Sequence, residues 1–169
     1  MTSTDAAAFC DEIRGRLVGS LYLYCGDRPL AEELAQEALA RAWERWDQVS
    51  AMASPEAWTF ATARNLARSR FRRRAVERRA RRRLAAERPA AEPDSADSVA
   101  VRAAVQSLPE RQRATIVARF YLGLDVAATA ELLGCATGTV KAATSQAIDR
   151  LRSSGLIDDE VDEHEDVEA

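Results

Sequence analysis

Apolar residues recur at helical spacing along most of this chain, and this periodicity limits its fold more than any other feature. One series places four side chains on a single helix face, each four residues after the last: Phe9, Ile13, Leu17 and Leu21. Ala dominates the apolar residues, and β-branched residues are rare before Val99. Because Ala, Leu, Arg and Glu favour helices, the sequence predicts an all-α protein with no strand of convincing length.

Glycine, proline and capping residues divide the periodic sequence into separate helices. Gly26 is a natural end for the first helix, and Asp27 can cap a second helix that has Pro29 in its first turn. Pro55 predicts the start of a third helix, which continues into an arginine-rich run. The residues between Asp47 and Pro55 lack periodicity, so we expect a loop there.

A polar, proline-bearing segment at 87–98 interrupts the helical pattern. Such a composition is typical of a flexible linker. It separates a first domain at 5–86 from a second at 99–156. The acidic residues at 157–169 are expected to form a disordered tail, because their charge is dense and their apolar content is low. The predicted architecture is therefore two small helical domains joined by a linker.

The second domain has the layout of a helix-turn-helix, a motif that places its second helix in the DNA major groove. Asp125 can cap a short helix that ends at Gly134, and a longer helix begins after a brief turn. The outer face of that longer helix presents polar groups that can reach phosphates and base edges: Thr137, Thr139, Lys141, Ser145 and Gln146. A helical hairpin with a merely solvated polar face is the alternative.

The net charge of −3 conceals a strongly basic segment. From Arg64 to Arg88, twelve Arg against two Glu give a local charge of +10, whereas the last twelve residues carry −8. Like charges this dense repel one another on a helix, so an anionic partner such as DNA is the economical explanation. The candidate contacts are Trp58, Arg64, Asn65, Arg68, Arg72 and Arg73. The run can instead be merely solvated, and its aromatic residues, which include Phe60 and Phe71, can serve base stacking or only a core.

The second helix carries an acidic face: Glu32, Glu33, Gln36, Glu37 and Arg41. Glu37 and Arg41 form a favourable pair four residues apart, whereas Glu33 and Glu37 repel each other. A face that tolerates this repulsion can be a docking surface for a basic partner. A solvated helix face has the same pattern, so both interpretations stay open.

The sequence offers no catalytic, metal or cofactor site. Cys10, Cys25 and Cys135 are widely spaced, and His164 lies in the acidic tail. We therefore expect free, at least partly buried thiols in a reducing cytoplasm rather than a zinc site or disulfides. No apolar run is long enough to span a membrane, and the first residues lack the pattern of a signal peptide.

Four segments, in this order, resemble the extracytoplasmic-function (ECF) sigma factors, which direct bacterial RNA polymerase to promoters; details lean toward a subgroup common in actinobacteria. Residues 31–43 are similar to the segment that binds the polymerase clamp. Residues 58–68 and the arginines after them are similar to the helix that recognises the −10 element. Residues 108–113 and 134–141 are similar to the −35-binding domain. The resemblance spans roughly Phe9 to Leu156, apart from the linker.

The resemblance implies core RNA polymerase (clamp and flap) and promoter DNA as partners, and it leaves an anti-sigma factor open as a third. The acidic face would meet basic residues of the clamp. The loop at 48–55 would hold a flipped base of the −10 element, with Arg64, Asn65, Arg68 and Arg72 on DNA. Thr139, Lys141, Ser145 and Gln146 would lie at the −35 element.

The chain departs from the family pattern in its helix-turn-helix. Ala136 stands where the family usually has Ser, and Ala142 and Ala143 stand where it often has Ser and Arg or Gln. These changes remove hydrogen-bond donors. The strength or the sequence of −35 recognition is expected to differ accordingly.

Two other functions compete with a sigma factor. An autonomous helix-turn-helix regulator that never binds polymerase would leave the acidic face without a partner. A nucleic-acid enzyme would need an acidic metal cluster or a nucleophile–base set, and none stands out in the sequence. The chain is therefore expected not to be an enzyme.

Overall fold

The computed structural model describes the backbone of residues 3–80 and 96–155 and the side chains of residues 4–74 and 98–155. Within these ranges the chain forms helices and no strand, which confirms the predicted all-α class. The α-helices are α1 (Ser3–Cys25), α2 (Arg28–Glu44), α3 (Trp46–Val49), α4 (Pro55–Ala80), α5 (Ala96–Ser107), α6 (Glu110–Ile116), α7 (Val126–Leu133) and α8 (Thr137–Ser153), and a π-helical turn, Val117–Tyr121, follows α6. The tail predicted at 157–169 and most of the linker predicted at 87–98 lie outside the described residues.

The residues predicted to cap helices lie at helix ends in the structure. Gly26 and Gly134 have φ angles of +72° and +64°, a left-handed conformation that glycine adopts without a steric penalty. The Asp27 carboxylate accepts an N–H of α2 at 3.0 Å. The Asp125 carboxylate accepts an N–H of α7 at 2.7 Å. Local sequence chemistry therefore determines where these helices start and stop.

The loop expected between Asp47 and Pro55 is partly wrong, because α3 occupies its beginning. Val49 is fully buried. The Trp46 ring lies 4.9 Å from the Phe9 ring, measured between centroids. These two apolar anchors hold a single helical turn against α1, and only residues 50–54 remain irregular.

The first half of the fold is built from α1, α2 and α4, which pack against one another. Its core contains large side chains of α1 and α2 and small ones of α4: Ile13, Leu17, Leu21, Leu30, Leu34, Ala63 and Ala67. Phe60 of α4 is fully buried in the same core. The alanines let α4 approach closely. The exposed side of α4 carries mostly charged residues: Arg68, Arg72, Arg73 and Arg74.

The second half contains α5 to α8 and the π-helical turn. A small cluster joins α5, α6 and α8: Ala104, Leu108, Ile116, Ala147 and Leu151. The apolar side of α8 faces inward: Val140, Ala147 and Leu151 are buried, and Ile148 is partly buried against the same cluster. The two helices of the helix-turn-helix, α7 and α8, pack against each other.

The two halves share one hydrophobic core. Val105, Ala114, Val117 and Leu122 of the second half belong to the same buried cluster as α1, and Leu132 and Leu133 of α7 pack against that cluster. The prediction of two domains joined by a linker did not include this contact. Apolar surface that would face water in separated halves is removed from water here, which favours a closed arrangement.

Each half also satisfies backbone groups of the other. The carbonyls at the end of α1 need partners, and α1 has no basic residue in its last turn. Gln106 donates to the Leu23 carbonyl, and Arg113 donates to the Tyr24 carbonyl at 3.0 Å. In the opposite direction, Arg16 donates to the Leu122 carbonyl at 3.0 Å. The second half thus caps the end of α1.

Cys25 occupies the last position of α1, beside this junction. All three cysteines are free thiols; Cys10 is buried and the other two are half-buried, as predicted. Burial, and to a smaller extent the nearby Asp27 carboxylate, raise the pKa of the Cys25 thiol to about 12. The folded chain therefore holds this thiol in its neutral form.

The stability of the chain should fall as pH rises from about 9 toward 12, because unfolding releases a proton that the folded thiol retains. The contribution is fully present below the thiol's ordinary pKa of 9.0. In Cys25→Ala the free energy of unfolding should fall less steeply over this pH range, by up to about 1 kcal/mol per pH unit. Urea unfolding at several pH values measures this. Equal slopes of unfolding free energy against pH in the two proteins would contradict this prediction. Their difference at pH 7, where the thiol is neutral in both states, measures the effect of the substitution on packing.

Candidate nucleic-acid and polymerase interfaces

The predicted acidic face lies along one side of α2. Glu32, Glu33, Gln36 and Arg41 are exposed and Glu37 is half-buried. The opposite side of the helix is buried against the first half: Leu30, Ala31, Leu34, Ala35, Ala38, Leu39 and Ala42. The structure therefore brings the five predicted residues together on one accessible surface, here called the α2 face.

The carboxylates of the α2 face already have cationic partners. Arg70 of α4 places its guanidinium 2.5 Å from Glu33 and 4.0 Å from Glu37. Arg41 lies 2.7 Å from Glu37, and Arg28 lies 3.2 Å from Glu32. Arg70 thus offsets the repulsion between Glu33 and Glu37. In the sequence, Arg70 belongs to the basic segment that begins at Arg64. Nothing in the sequence indicates its contact with α2.

These ion pairs are weak enough to be exchanged. Their side chains retain about a third to a half of their exposure. Pairs this exposed contribute roughly 0–1 kcal/mol each. A partner that brings its own cations can replace Arg70 at little cost.

Trp43 adds an apolar residue near the same surface. Ala42 is fully buried, whereas Trp43, the next residue of α2, is 44% exposed. It borders a groove of about 460 Å³ between α1 and α2, which Gln36 and Leu39 also line. Exposed tryptophan is enriched at protein interfaces, so Trp43 is a candidate contact that charge patterning alone missed.

The predicted DNA residues of α4 differ in exposure. Asn65, Arg68, Arg72 and Arg73 are exposed, and Trp58 is half-buried. Arg64 was expected on DNA, yet it is only 7% exposed in this arrangement. Phe60 lies in the core and cannot stack on a base as it stands, and Phe71 packs against the core. The aromatic residues of α4 therefore serve packing more than the sequence suggested.

The predicted −35 residues lie on the outer side of α8. Thr137, Lys141, Ser145 and Gln146 are exposed and Thr139 is half-buried. The Gln146 side chain accepts a hydrogen bond from Gln112 at 3.0 Å. Ala136 is the N-cap of α8, in an extended conformation, and provides no side-chain hydrogen bond. The missing Ser thus leaves the recognition helix without a side-chain cap.

Known families match both halves of the chain. Residues 10–77 match Sigma-70 region 2, and residues 98–151 match Sigma-70, region 4. The ECF RNA polymerase sigma factor SigL of Mycobacterium tuberculosis is 33% identical over 133 residues, which cover 75% of each chain. The chain belongs to the ECF RNA polymerase sigma factors. EcfG of Rhodopseudomonas palustris, also an ECF sigma factor, is 29% identical across 79% of this chain and 75% of its own.

Solved structures show the same fold. The sigma factor RpoE of Bartonella quintana, solved in complex with the anti-sigma factor NepR, superposes with a TM-score of 0.78 at 27% identity, over 89% of this sigma factor and 98% of RpoE. CnrH, solved with the cytosolic domain of CnrY, gives a TM-score of 0.63 at 19% identity, over 90% and 88% of the two chains.

The described part of this sigma factor contains neither a candidate metal cluster nor a candidate membrane-spanning helix. Across residues 3–80 and 96–155, no group of three or more His, Cys, Asp or Glu is placed to hold a metal ion. No helix in those ranges is both long and apolar enough to cross a membrane.

Replacing Ala136 by Ser should stabilise this sigma factor, because a serine hydroxyl at the N-cap can accept an N–H from the first turn of α8. The expected gain in the free energy of unfolding is about 0.5–2 kcal/mol. Thermal or urea unfolding measures it. The matched control is Ala142→Ser, an exposed position inside α8, where serine should cost up to about 0.5 kcal/mol. An equal gain at both positions would show that serine stabilises α8 without acting as a cap. No gain at position 136 would contradict the prediction.

Proposed function

We propose that this sigma factor binds core RNA polymerase through its α2 face and promoter DNA through α4 and α8. As an ECF sigma factor it directs promoter-specific initiation of transcription. The observation that carries the division of roles is the α2 face itself, an accessible acidic surface beside a basic helix in the same half. An autonomous DNA-binding regulator would have no use for it.

The α2 face would receive basic residues of the polymerase clamp. Its acids, exposed at Glu32 and Glu33 and half-buried at Glu37, lie on one side of a helix whose other side is buried, so the helix presents them on a rigid support. Clamp cations would replace Arg70 and Arg41, and Trp43 would supply an apolar contact. Charge complementarity of this kind accelerates and orients association.

The half built from α1, α2 and α4 would bind the −10 element. Arg68, Arg72 and Arg73 are exposed along α4 and can neutralise phosphates. Residues 50–53 form an irregular turn immediately before α4, with Met52 exposed. This turn is the part of the predicted 48–55 loop that remains available to hold an unstacked base. Capture of that base would lead to melting of the promoter duplex at the −10 element.

The helix-turn-helix would bind the −35 element with α8 in the major groove. Thr137, Thr139, Lys141, Ser145 and Gln146 form its outer surface. Ala136 and Ala142 provide no polar group there, so recognition depends on a few donors. We expect a weaker or differently specified −35 contact than in relatives that carry serine at these positions.

The remaining partners follow from the same function. RpoE of Bartonella quintana was solved with an anti-sigma factor, which makes a protein of that kind a candidate partner of this chain. The place of action would be the cytoplasm, where polymerase and promoter meet. The proposed function requires no catalytic reaction by the chain itself.

Charge reversal at Glu33 and Glu37 should abolish binding to core polymerase, because the clamp would then meet like charges. Binding is measured with purified core enzyme, and function by in vitro transcription from a cognate promoter. The substitutions also remove the ion pairs to Arg70. Arg70→Ala is therefore the control: it breaks those pairs, keeps the acids, and should bind core at least as tightly as wild type.

Unchanged core affinity after charge reversal would exclude the α2 face as the docking surface. An equal loss in Arg70→Ala would assign the effect to packing of α2 on α4 instead. A chain that binds core but supports no promoter-specific initiation would contradict the proposed function as a whole.

Replacing both Arg68 and Arg72 by Ala should make DNA binding less sensitive to salt, because fewer counterions are released. The slope of log affinity against log salt should fall by roughly 0.7–0.9 for each lost phosphate contact. Arg14, an exposed arginine of α1, provides a matched control whose replacement by Ala should leave the slope unchanged. A slope that Arg68 and Arg72 do not affect would remove them from the DNA surface.

A further inference from the structure

A buried glutamine of α6 holds one of the candidate −35 residues. The Nε2 of Gln112 donates a hydrogen bond to the Oε1 of Gln146 at 3.0 Å. Gln112 is 7% exposed, whereas Gln146 is exposed on the outer side of α8. Gln112 therefore lies beneath Gln146, almost withdrawn from solvent, and is not placed to contact DNA itself.

Apolar packing fixes the backbone on both sides of this hydrogen bond. Helices α6 and α8 pack against each other. Ile116 of α6 lies in the same buried cluster as Ala147, the residue after Gln146. The two helices are thus joined without the help of the glutamines. The effect of the bond falls on the side-chain amide of Gln146.

The position of Gln112 in α6 excludes the usual local role of a glutamine there. It is the third residue of the helix, from which a glutamine side chain can reach back to the N–H of the N-cap residue. The N-cap of α6 is Pro109, which has no N–H. Capping therefore gives no reason for a buried glutamine at this place, and its side chain bonds to Gln146 instead.

The direction of the hydrogen bond follows from what each orientation leaves unpaired. The Oε1 of Gln112 is buried without a hydrogen-bond partner among the described residues. If both amides were reversed, the NH2 group of Gln112 would take that buried place, and two N–H groups would lack acceptors. Two unpartnered donors cost more than one unpartnered oxygen. Gln112 is therefore the donor and Gln146 the acceptor.

This direction decides what Gln146 can offer to a base. Its oxygen is engaged with Gln112, and its NH2 group remains to provide two donors. A free glutamine reads adenine with both groups, accepting from N6 and donating to N7. Guanine suits donors alone, because its N7 and O6 are both acceptors on the major-groove edge. Adenine would place its own N–H groups beside those of Gln146.

We propose that Gln112 is a positioning residue that makes Gln146 read guanine in the −35 element. The proposal rests on the proposed function in one respect, the placement of α8 in the major groove. Gln112 acts by retaining the Gln146 oxygen and does not touch DNA. Its displacement would leave its whole amide buried without a partner, which is costly, so the pair persists in the complex.

The test uses holoenzyme assembled from core polymerase and the full sigma factor. Duplexes with a randomised −35 region are bound, recovered and sequenced. Gln146→Ala identifies the base pair that Gln146 reads, as the position where a preference disappears. At that position wild type should prefer guanine over adenine roughly five- to ten-fold. Gln112→Met should reduce this preference to about two-fold or less, because the freed amide can rotate and read adenine as well.

Thr115→Val is the matched control for Gln112→Met. Thr115 is also a buried polar residue of α6, but its hydroxyl donates to the Arg111 carbonyl of its own helix. Its replacement should leave the guanine preference unchanged. An equal change in Thr115→Val would assign the effect to the packing of α6 and overturn the proposal. An unchanged preference in Gln112→Met, or a wild-type preference for adenine, would overturn it as well.

A second measurement leaves the protein core intact. Replacing the selected guanine by 7-deazaguanine removes the N7 acceptor and preserves base pairing. Binding of wild-type holoenzyme should weaken roughly two- to ten-fold, the value of one lost hydrogen bond. The same analogue should not affect Gln146→Ala. No weakening in wild type, or equal weakening in both proteins, would exclude Gln146 as the donor to guanine.

Failure of this inference is distinguishable from failure of the proposed function. If the holoenzyme selects a −35 sequence but Gln146→Ala changes no preference, the role of the glutamine pair fails and α8 keeps its place at the −35 element. If the holoenzyme selects no −35 sequence at all, the placement of α8 fails, and the role of Gln112 fails with it.

Discussion

The arrangement of both halves depends on the burial of α1 on more than one side. A single helix stripe, seen in the spacing of Ile13, Leu17 and Leu21, would suffice for packing against α2 and α4. The structure also packs α1 against α5 and the π-helical turn. The end of the helix then receives Gln106 and Arg113 as caps. Carbonyls at a helix end need hydrogen-bond partners. The Leu23 and Tyr24 carbonyls of α1 receive these donors only when the second half is docked.

Each proposed binding surface has an occupant from the chain itself. Arg70 neutralises the α2 face, Glu110 pairs with Arg68 of α4, and Gln112 donates to Gln146 of α8. These three polar groups thus have partners within the isolated chain. Binding at the α2 face and at α4 is then an exchange of partners, and its net energy is the difference between two sets of contacts rather than the sum of the new ones. Exchange of this kind favours specificity over raw affinity.

The sequence predicted what depends on neighbouring residues and missed what depends on distant ones. Helix ends at Gly26, Asp27, Asp125 and Gly134 follow from local chemistry, and all four were found where the sequence placed them. The π-helical turn at Val117–Tyr121 has no comparable local signal. Arg70 and Glu110 were the larger omission, since their partners, Glu33 and Tyr24, lie 37 and 86 residues away. The α2 face could be predicted as a set of residues, but its internal neutralisation could not.

The contacts within the chain differ in how strongly they resist a partner. Glu32, Glu33 and Gln36 of α2 are exposed, and so are Arg68, Arg72 and Arg73 of α4. Their ion pairs are individually weak, whereas the shared apolar core is extensive and resists separation. A partner that replaces only ion pairs therefore meets little resistance, whereas a partner that separates the halves must offset the loss of that apolar burial.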